Sequence, residues 1–164
     1  MNAKNLLSRV KEKNAAEKLD EWRQELWEAL PGIFSDEKDL YGMNDEGNVA
    51  IKKGGATLFV EFGLDEDNDF GWVLIYSPLV YMPEDALLPF YRKLLDINYD
   101  ESVVGRLSTN EDIVYLARTL TTDDRDLRAV LSTVAALAYE ADGITEYLIE
   151  EFDVRSTEID VIAA

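Results

Sequence analysis

Residues 40–80 read LYGMNDEGNVAIKKGGATLFVEFGLDEDNDFGWVLIYSPLV, and this run decides the fold. Three turn signals, NDEGN, KKGGA and DEDNDFG, punctuate segments that are apolar or alternate between apolar and polar residues, the pattern of an antiparallel meander. Strands are expected near 39–44, 48–53, 56–64 and 70–80. In the third, Leu58, Val60 and Phe62 share one face while Thr57, Phe59 and Glu61 share the other, because successive side chains in a strand point to opposite sides. In the fourth, Trp72, Leu74 and Tyr76 oppose Val73 and Ile75, so both faces are apolar. Such a strand is either central, with layers above and below, or lies against a partner.

Within this run, LDEDNDFG at 64–71 sets Asp65, Asp67 and Asp69 at the alternate spacing that opens an EF-hand loop. The later places fail: where a calcium loop needs a glycine and a bidentate glutamate the chain has Phe70 and Tyr76, and the flanks read as strands rather than helices. The segment is therefore expected to be a solvated hairpin turn with no metal, in which Asn68 takes left-handed backbone and the aspartates keep an apolar hairpin soluble.

Outward from the meander the period turns helical. Leu19, Trp22, Leu26, Leu30 and Ile33 recur at spacings of three and four ahead of Pro31-Gly32, which marks the end of a first helix. Leu6, Leu7 and Val10 either extend it or form a separate helical segment over 1–14. After the meander, Pro83 and the acidic pair Glu84-Asp85 open a second helix with Leu87, Leu88, Tyr91, Leu94 and Leu95 as its apolar stripe. Pro89 cannot lie deep inside it, so the regular helix begins near Leu88. A second hairpin follows, Gly105–Ser108 and Asp112–Leu120 around a polar STNED turn. Then TTDDRD supplies caps for a long helix of about 30 residues on Leu127, Leu131, Val134, Ala138, Ala141, Thr145, Leu148 and Phe152. Gly143 interrupts it. The tail 153–164 is expected to be loose, with IDVIA available as an edge strand. The order is α-β-β-β-β-α-β-β-α, and the 164 residues, 47% hydrophobic, suit one domain over 1–164.

Composition narrows the chemistry. The chain contains no cysteine and no histidine, which removes disulfides, zinc sites built on those residues, Ser-His-Asp triads and Cys-His dyads. The longest nearly apolar stretch, GWVLIYSPLVYM at 71–82, is too short for a bilayer, which takes about 20 residues. The opening residues lack the apolar region and cleavage site of a secretory signal, so a cytoplasmic protein without a membrane partner is expected. Net charge is −18: six of the 16 Lys/Arg and six of the 34 Asp/Glu fall in residues 1–30, leaving ten basic against 28 acidic side chains in the rest. That field repels phosphate backbones and argues against nucleic acid, while it attracts a basic protein or peptide; the plain alternative is that acidity only maintains solubility.

Carboxylate pairs such as Asp123-Asp124 and Glu150-Glu151 are abundant, yet nothing nominates two of them as the acid and base of a hydrolase, and chance proximity is expected among 34 acids. GxGxxG, GxxxxGK[ST] and GxSxG are all absent, and Gly54-Gly55 after Lys52-Lys53 reads better as a hairpin turn than as a phosphate loop. No cofactor is expected. Phe59, Trp72 and Tyr76, with Ile113 and Tyr115 of the second hairpin, are candidate partner-binding residues, and Tyr81 is weighed beside them as a ligand- or partner-facing aromatic, all against the commoner fate of strand aromatics as core.

The segment LPFYRKLLDINYDESVVGRLSTNEDIVYLARTL, followed by VAALAYEADGITEYLIEEF, resembles YbjN-like proteins, relatives of the CesT-type type III secretion chaperones. The likeness is carried by Leu94, Leu95 and Asn98 ahead of the hairpin, by Gly105, Arg106 and Leu107 in its first strand and Val114 to Leu120 in its second, and by the small-residue face of Ala135, Ala136 and Ala141. It implies an α+β, type III secretion chaperone-like fold with helices packed on one face of a twisted antiparallel sheet. It further implies a homodimer with a chaperone-like or regulatory role in binding a protein, and it brings no catalytic residues. A carboxylate-based hydrolytic or small-ligand enzyme on the sheet face is the alternative.

Overall fold

The structure is a computed structural model that describes residues 14–123 and 125–157. Residues 1–13 of the helical segment expected over 1–14, the capping candidate Asp124 and the IDVIA strand lie outside these residues. The elements are α1 (Ala15–Ile33), β1 (Leu40–Met43), β2 (Val49–Lys53), β3 (Ala56–Asp65), β4 (Phe70–Tyr81), α2 (Leu87–Tyr99), β5 (Arg106–Asn110), β6 (Ile113–Thr121) and α3 (Leu127–Phe152). This is the expected order, with strand ends within two residues of those read from the turn signals.

All six strands join in one antiparallel sheet in the order β1-β2-β3-β4-β6-β5. The β4-α2-β5 crossover carries the chain past the place that β6 then fills, so β4 becomes a central strand, paired with β3 and β6. Helices α1 and α3 pack on one face, where Val49, Ile51, Leu58, Val60, Val73, Ile75, Val114 and Leu116 point, all essentially inaccessible to water. The two apolar faces of β4 thus have different fates: Val73 and Ile75 enter this core, while Trp72, Leu74 and Tyr76 stand half-buried on the opposite face, which no helix among the described residues covers.

The first helix buries Leu19, Trp22, Leu26 and Leu30, as its spacing predicts. It runs on to Ile33, because Pro31 and Gly32 fall in the last turn rather than after it. Asn14 caps its start: the side chain accepts from the Glu17 N–H at 2.9 Å and Glu17 returns the contact to the Asn14 N–H at 3.2 Å, a capping box. The long helix α3 buries Val134, Ala138, Ala141, Thr145 and Leu148 from the expected stripe, together with Val130, Thr133 and Leu137; Leu127, Leu131 and Phe152 sit at its margins. Its 26 residues give about 39 Å at 1.5 Å per residue, somewhat less than anticipated.

Side chains from α3 hold the turns of the sheet. Asp142 accepts from the Gly55 N–H at 2.8 Å, and Gly54, at φ +56°, leaves no room there for a β-carbon. Glu140 accepts from the consecutive Val104 and Gly105 N–H groups at 2.7 and 3.0 Å. Beside it, Asn98 of α2 receives the Leu107 N–H at 2.7 Å and donates to the Leu107 carbonyl at 3.0 Å, doing for the outer edge of β5 what another strand would do. A β-carbon on Gly105 would collide with Leu116. These contacts give a physical reason for Asn98 and Gly105-Arg106-Leu107.

The β3–β4 turn differs from expectation in one detail. Asp69, at φ +47°, takes the left-handed backbone assigned to Asn68. Asn68 instead gives its N–H and side-chain amide to Asp65, at 3.2 and 2.9 Å. Asp69 reaches back across the fold to the Ala15 N–H at 2.8 Å, tying the turn to the start of α1.

Candidate functional site

The sheet face that no helix covers among the described residues holds the candidate site. Register brings Phe59 opposite Tyr76, Tyr76 opposite Ala117, and Pro78 opposite Tyr115. The rings of Phe59 and Tyr76 stack with centroids 5.3 Å apart, and Tyr76 and Tyr115 follow at 6.5 Å. Around them lies an open groove of about 300 Å³ lined by Phe59, Tyr76, Pro78, Tyr81, Ile113 and Tyr115, with Thr157 at one side. Four of the five residues singled out from the sequence therefore meet at one place. Trp72 shares the face but not the groove: it pairs with Gly63, four pairs further along the ladder than Phe59 and Tyr76, and its ring lies over that glycine, where any β-carbon would strike it.

Pro78 and Thr157 escape the sequence reading, which weighs Tyr81 but does not place it among the five candidates. Strict alternation along β4 predicts an inward Val80 and an outward Tyr81 only if a register shift between Pro78 and Val80 is known, and such a bulge has no signature beyond the proline itself. Thr157 belongs to the stretch expected to be loose. Within it, however, Val154 is buried, Ser156 bridges Val80, the Tyr81 N–H donates to the Arg155 carbonyl at 2.8 Å, and the Thr157 N–H donates to the Leu79 carbonyl at 3.0 Å. Residues 155–157 thus extend the sheet beside the end of β4.

The groove is lined by aromatic and aliphatic side chains and a threonine, none of them charged, with one polar device at its rim. The Tyr76 hydroxyl donates to Glu61 at 2.7 Å, and half-burial together with this carboxylate pushes the Tyr76 pKa well above the ordinary phenol value. None of the groove's lining residues carries a carboxylate. Among the described residues no group of three or more acidic side chains is placed to hold a metal ion, and no helix is long and apolar enough to cross a membrane.

A second exposed apolar feature lies on α2. The five residues read as its apolar stripe divide differently: Leu94 is buried, along with Phe90, whereas Leu88 and Leu95 are 80 and 67% exposed and Leu87 and Tyr91 43 and 41%; Tyr99, beyond that stripe, is 89% exposed. The helix begins at Leu87, which places Pro89 in the first turn, where no backbone donor is required. Leu88, Tyr91, Leu95 and Tyr99 then form an outward ridge at spacings of three and four. Behind it, a depression of about 380 Å³ separates α2 from α3 and is lined by Lys93, Asp96, Asp100, Gly143 and Tyr147. The Lys93 ammonium lies 5.0 Å from the centre of the Tyr147 ring, and the Tyr147 hydroxyl raises the pKa of the lysine.

A six-stranded antiparallel sheet with helices on one face and the order α-β-β-β-β-α-β-β-α defines the class: this is the α+β fold of the type III secretion chaperones. Among solved structures, a chain of the HopA1–SchA chaperone–effector complex is similar at a TM-score of 0.50 and 12% identity, over 76% of this chain and 94% of that one. A chain of the complex between the Yersinia pestis type III secretion chaperone SycH and a stable fragment of YscM2 aligns at a TM-score of 0.46 and 15% identity, over 73% and 96%. No protein-family profile and no curated protein sequence matches the chain.

Proposed function

We propose that this chain is a YbjN-like, chaperone-like protein-interaction domain of the cytoplasm, non-enzymatic, which holds an extended segment of a protein partner against the helix-free face of its sheet. The observation that carries this reading is the groove formed by Phe59, Tyr76, Ile113 and Tyr115: half-buried aromatic side chains on a sheet face that no helix covers among the described residues. Aromatic side chains bind apolar groups at small entropic cost, and an apolar strip inside a charged surround is how a soluble protein presents a docking site. The excess of 34 acidic over 16 basic side chains selects a partner segment with basic residues beside its apolar ones. The fold shared with the HopA1–SchA chaperone–effector complex supports a protein as the partner.

The working unit is a homodimer formed through α2. Leu88, Tyr91, Leu95 and Tyr99 make a continuous apolar ridge on one helix, and two copies related by a two-fold axis would cover each other's ridge. The hydrolase alternative finds no carboxylate among the lining residues of the groove, and Glu61, bonded to the Tyr76 hydroxyl, is already engaged. The test is capture on immobilised full-length protein beside a Tyr115→Glu variant with unchanged circular dichroism. A protein retained by the first and lost by the second supports the reading. Retention of none, or equal retention by both, removes it.

A further inference from the structure

We infer that the aromatic groove takes a proline-rich segment in the polyproline II conformation, with a basic residue beside its prolines. This names the partner chemistry of the site and rests on the protein-binding function proposed above.

The sheet beneath the groove has no backbone group to offer. β3 pairs with β2 and β4, β4 with β3 and β6, and β6 with β4 and β5. Past the end of its ladder with β3, β4 is met by residues 155–157, through the Tyr81 N–H to the Arg155 carbonyl and the Thr157 N–H to the Leu79 carbonyl. A chain laid on this face therefore forms no ladder, and every N–H it buries there needs an acceptor from a side chain. Apart from hydroxyl oxygens the lining has none, and the Thr157 hydroxyl already donates to the Pro78 carbonyl at 2.7 Å. Hydroxyl donors are at hand, because among the described residues neither Tyr81 nor Tyr115 makes a hydrogen bond through its phenol. Proline brings a carbonyl for such a donor and no N–H to leave unpaired.

The rings fit the same occupant. Phe59, Tyr76 and Tyr115 stand on three neighbouring strands with ring centroids 5.3 and 6.5 Å apart, and Tyr81 follows at the end of β4. Over those two steps, about 12 Å at most, a polyproline II helix sets about four residues at 3.1 Å each. Such a segment is ordered before it binds, so little conformational freedom is lost against the rings. The ends of the groove differ in charge. Glu61, bonded to Tyr76, lies beyond Phe59 at one end, and Arg155 lies 5.2 Å from the centre of the Tyr81 ring at the other. The basic residue of the segment belongs at the Glu61 end, where the acidic excess of the chain favours it and Arg155 does not oppose it.

The test is fluorescence anisotropy of the full-length protein with three labelled peptides of equal length: arginines followed by prolines, the same arginines followed by alternating valine and threonine, and glutamates followed by the prolines. The arginine–proline peptide is expected to bind about ten-fold tighter than either of the others. Tyr81→Phe/Tyr115→Phe, which keeps both rings and removes both hydroxyls, should weaken it several-fold, and Tyr115→Ala with unchanged circular dichroism more strongly still. In Glu61→Gln the preference for arginines over glutamates should shrink. A valine–threonine peptide that binds as tightly and is lost with Tyr115→Ala would overturn the proline assignment while the groove remains a protein-docking site. Arginine–proline binding untouched by Tyr115→Ala would overturn the assignment and the groove as the docking site together. Binding of none of the three would overturn the assignment alone, since the capture experiment above reads the wider function separately.

Discussion

Single side chains do unusual service in this fold by completing backbone hydrogen bonding that no strand or helix supplies. Asn98 is the clearest case, since its amide meets both the N–H and the C=O of Leu107 at the outer edge of β5. Asn98→Ala would leave two partly buried backbone groups unpaired and is expected to cost about 1–3 kcal/mol, read as a lower denaturant midpoint with an unchanged slope. Asn98→Asp keeps the acceptor for the Leu107 N–H but sets a carboxylate against the Leu107 carbonyl, so it should recover only part of the loss. Tyr76 makes a different kind of prediction. Its folded-state pKa is raised, by burial first and by Glu61 second, so the fold holds the phenol proton more tightly than the unfolded chain does. The stability this contributes is fully present below the ordinary phenol value of about 10 and is lost as pH rises above it. Thermal melts from pH 8 to 11 should therefore fall less steeply for Tyr76→Phe than for the unaltered protein. At the acidic end the sign reverses for Asp65: its pKa is lowered by the side-chain and backbone N–H groups of Asn68. Its contribution is present above the usual carboxylate range and fades as pH falls below it. An Asn68→Ala variant should return the Asp65 titration, followed by NMR, toward the ordinary value.

At the level of elements, burial followed the sequence wherever one face of an element was distinctly apolar. In β3 the alternation of Leu58, Val60 and Phe62 with Thr57, Phe59 and Glu61 leaves only one set to meet the helices, and the same holds for Leu19, Trp22, Leu26 and Leu30 in α1. In α2 it does not hold. Phe90, Leu94 and Ile97 pack on the core while Leu88, Leu95 and Tyr99 face outward, and both sets repeat at helical spacing, so periodicity alone cannot say which one meets the sheet. The deciding contact, Phe90 edge-on to Phe152 at 5.0 Å, joins residues 62 positions apart. The aromatic groove was legible in part for the same reason: Phe59, Tyr76 and Tyr115 follow from alternation plus pairing, whereas Tyr81 depends on a bulge and Thr157 on a long-range bridge. The outward ridge of α2 carries its own prediction. Leu88→Glu/Leu95→Glu replaces two exposed apolar side chains without touching the core, so helix content and melting of the monomer should persist while light scattering reports half the mass of the unaltered protein. A mass equal to one chain in the unaltered protein would remove the dimer from the proposed function.

For the molecule as a whole, α3 is the part on which the sheet is assembled. It lies across β2, β3, β4 and β6, and its Glu140 and Asp142 receive backbone N–H groups from opposite ends of that sheet, the approach to β5 and the β2–β3 turn. Two carboxylates two residues apart thus fix both flanks of the strip on which the groove lies, and neither could be told from the other acids of an acidic chain, because each acts through backbone groups at least 35 residues away. The rest of that acidity is spread over the surface, and its effect is collective. An excess of 18 negative charges creates a field felt beyond contact distance, which speeds encounter with a basic segment and slows it for an acidic one. Salt shortens that reach to about 10 Å at 0.1 M. For a partner identified by the Tyr115→Glu comparison, the association rate should therefore fall by about ten-fold or more between 0.02 and 0.5 M salt, while the dissociation rate, set by the apolar groove, stays nearly constant. Stopped-flow or surface-based kinetics across that range separates the two. A salt-independent association rate would mean that the acidic surface serves solubility alone, and a dissociation rate that climbs with salt would move the contact from the aromatic groove to charged residues around it.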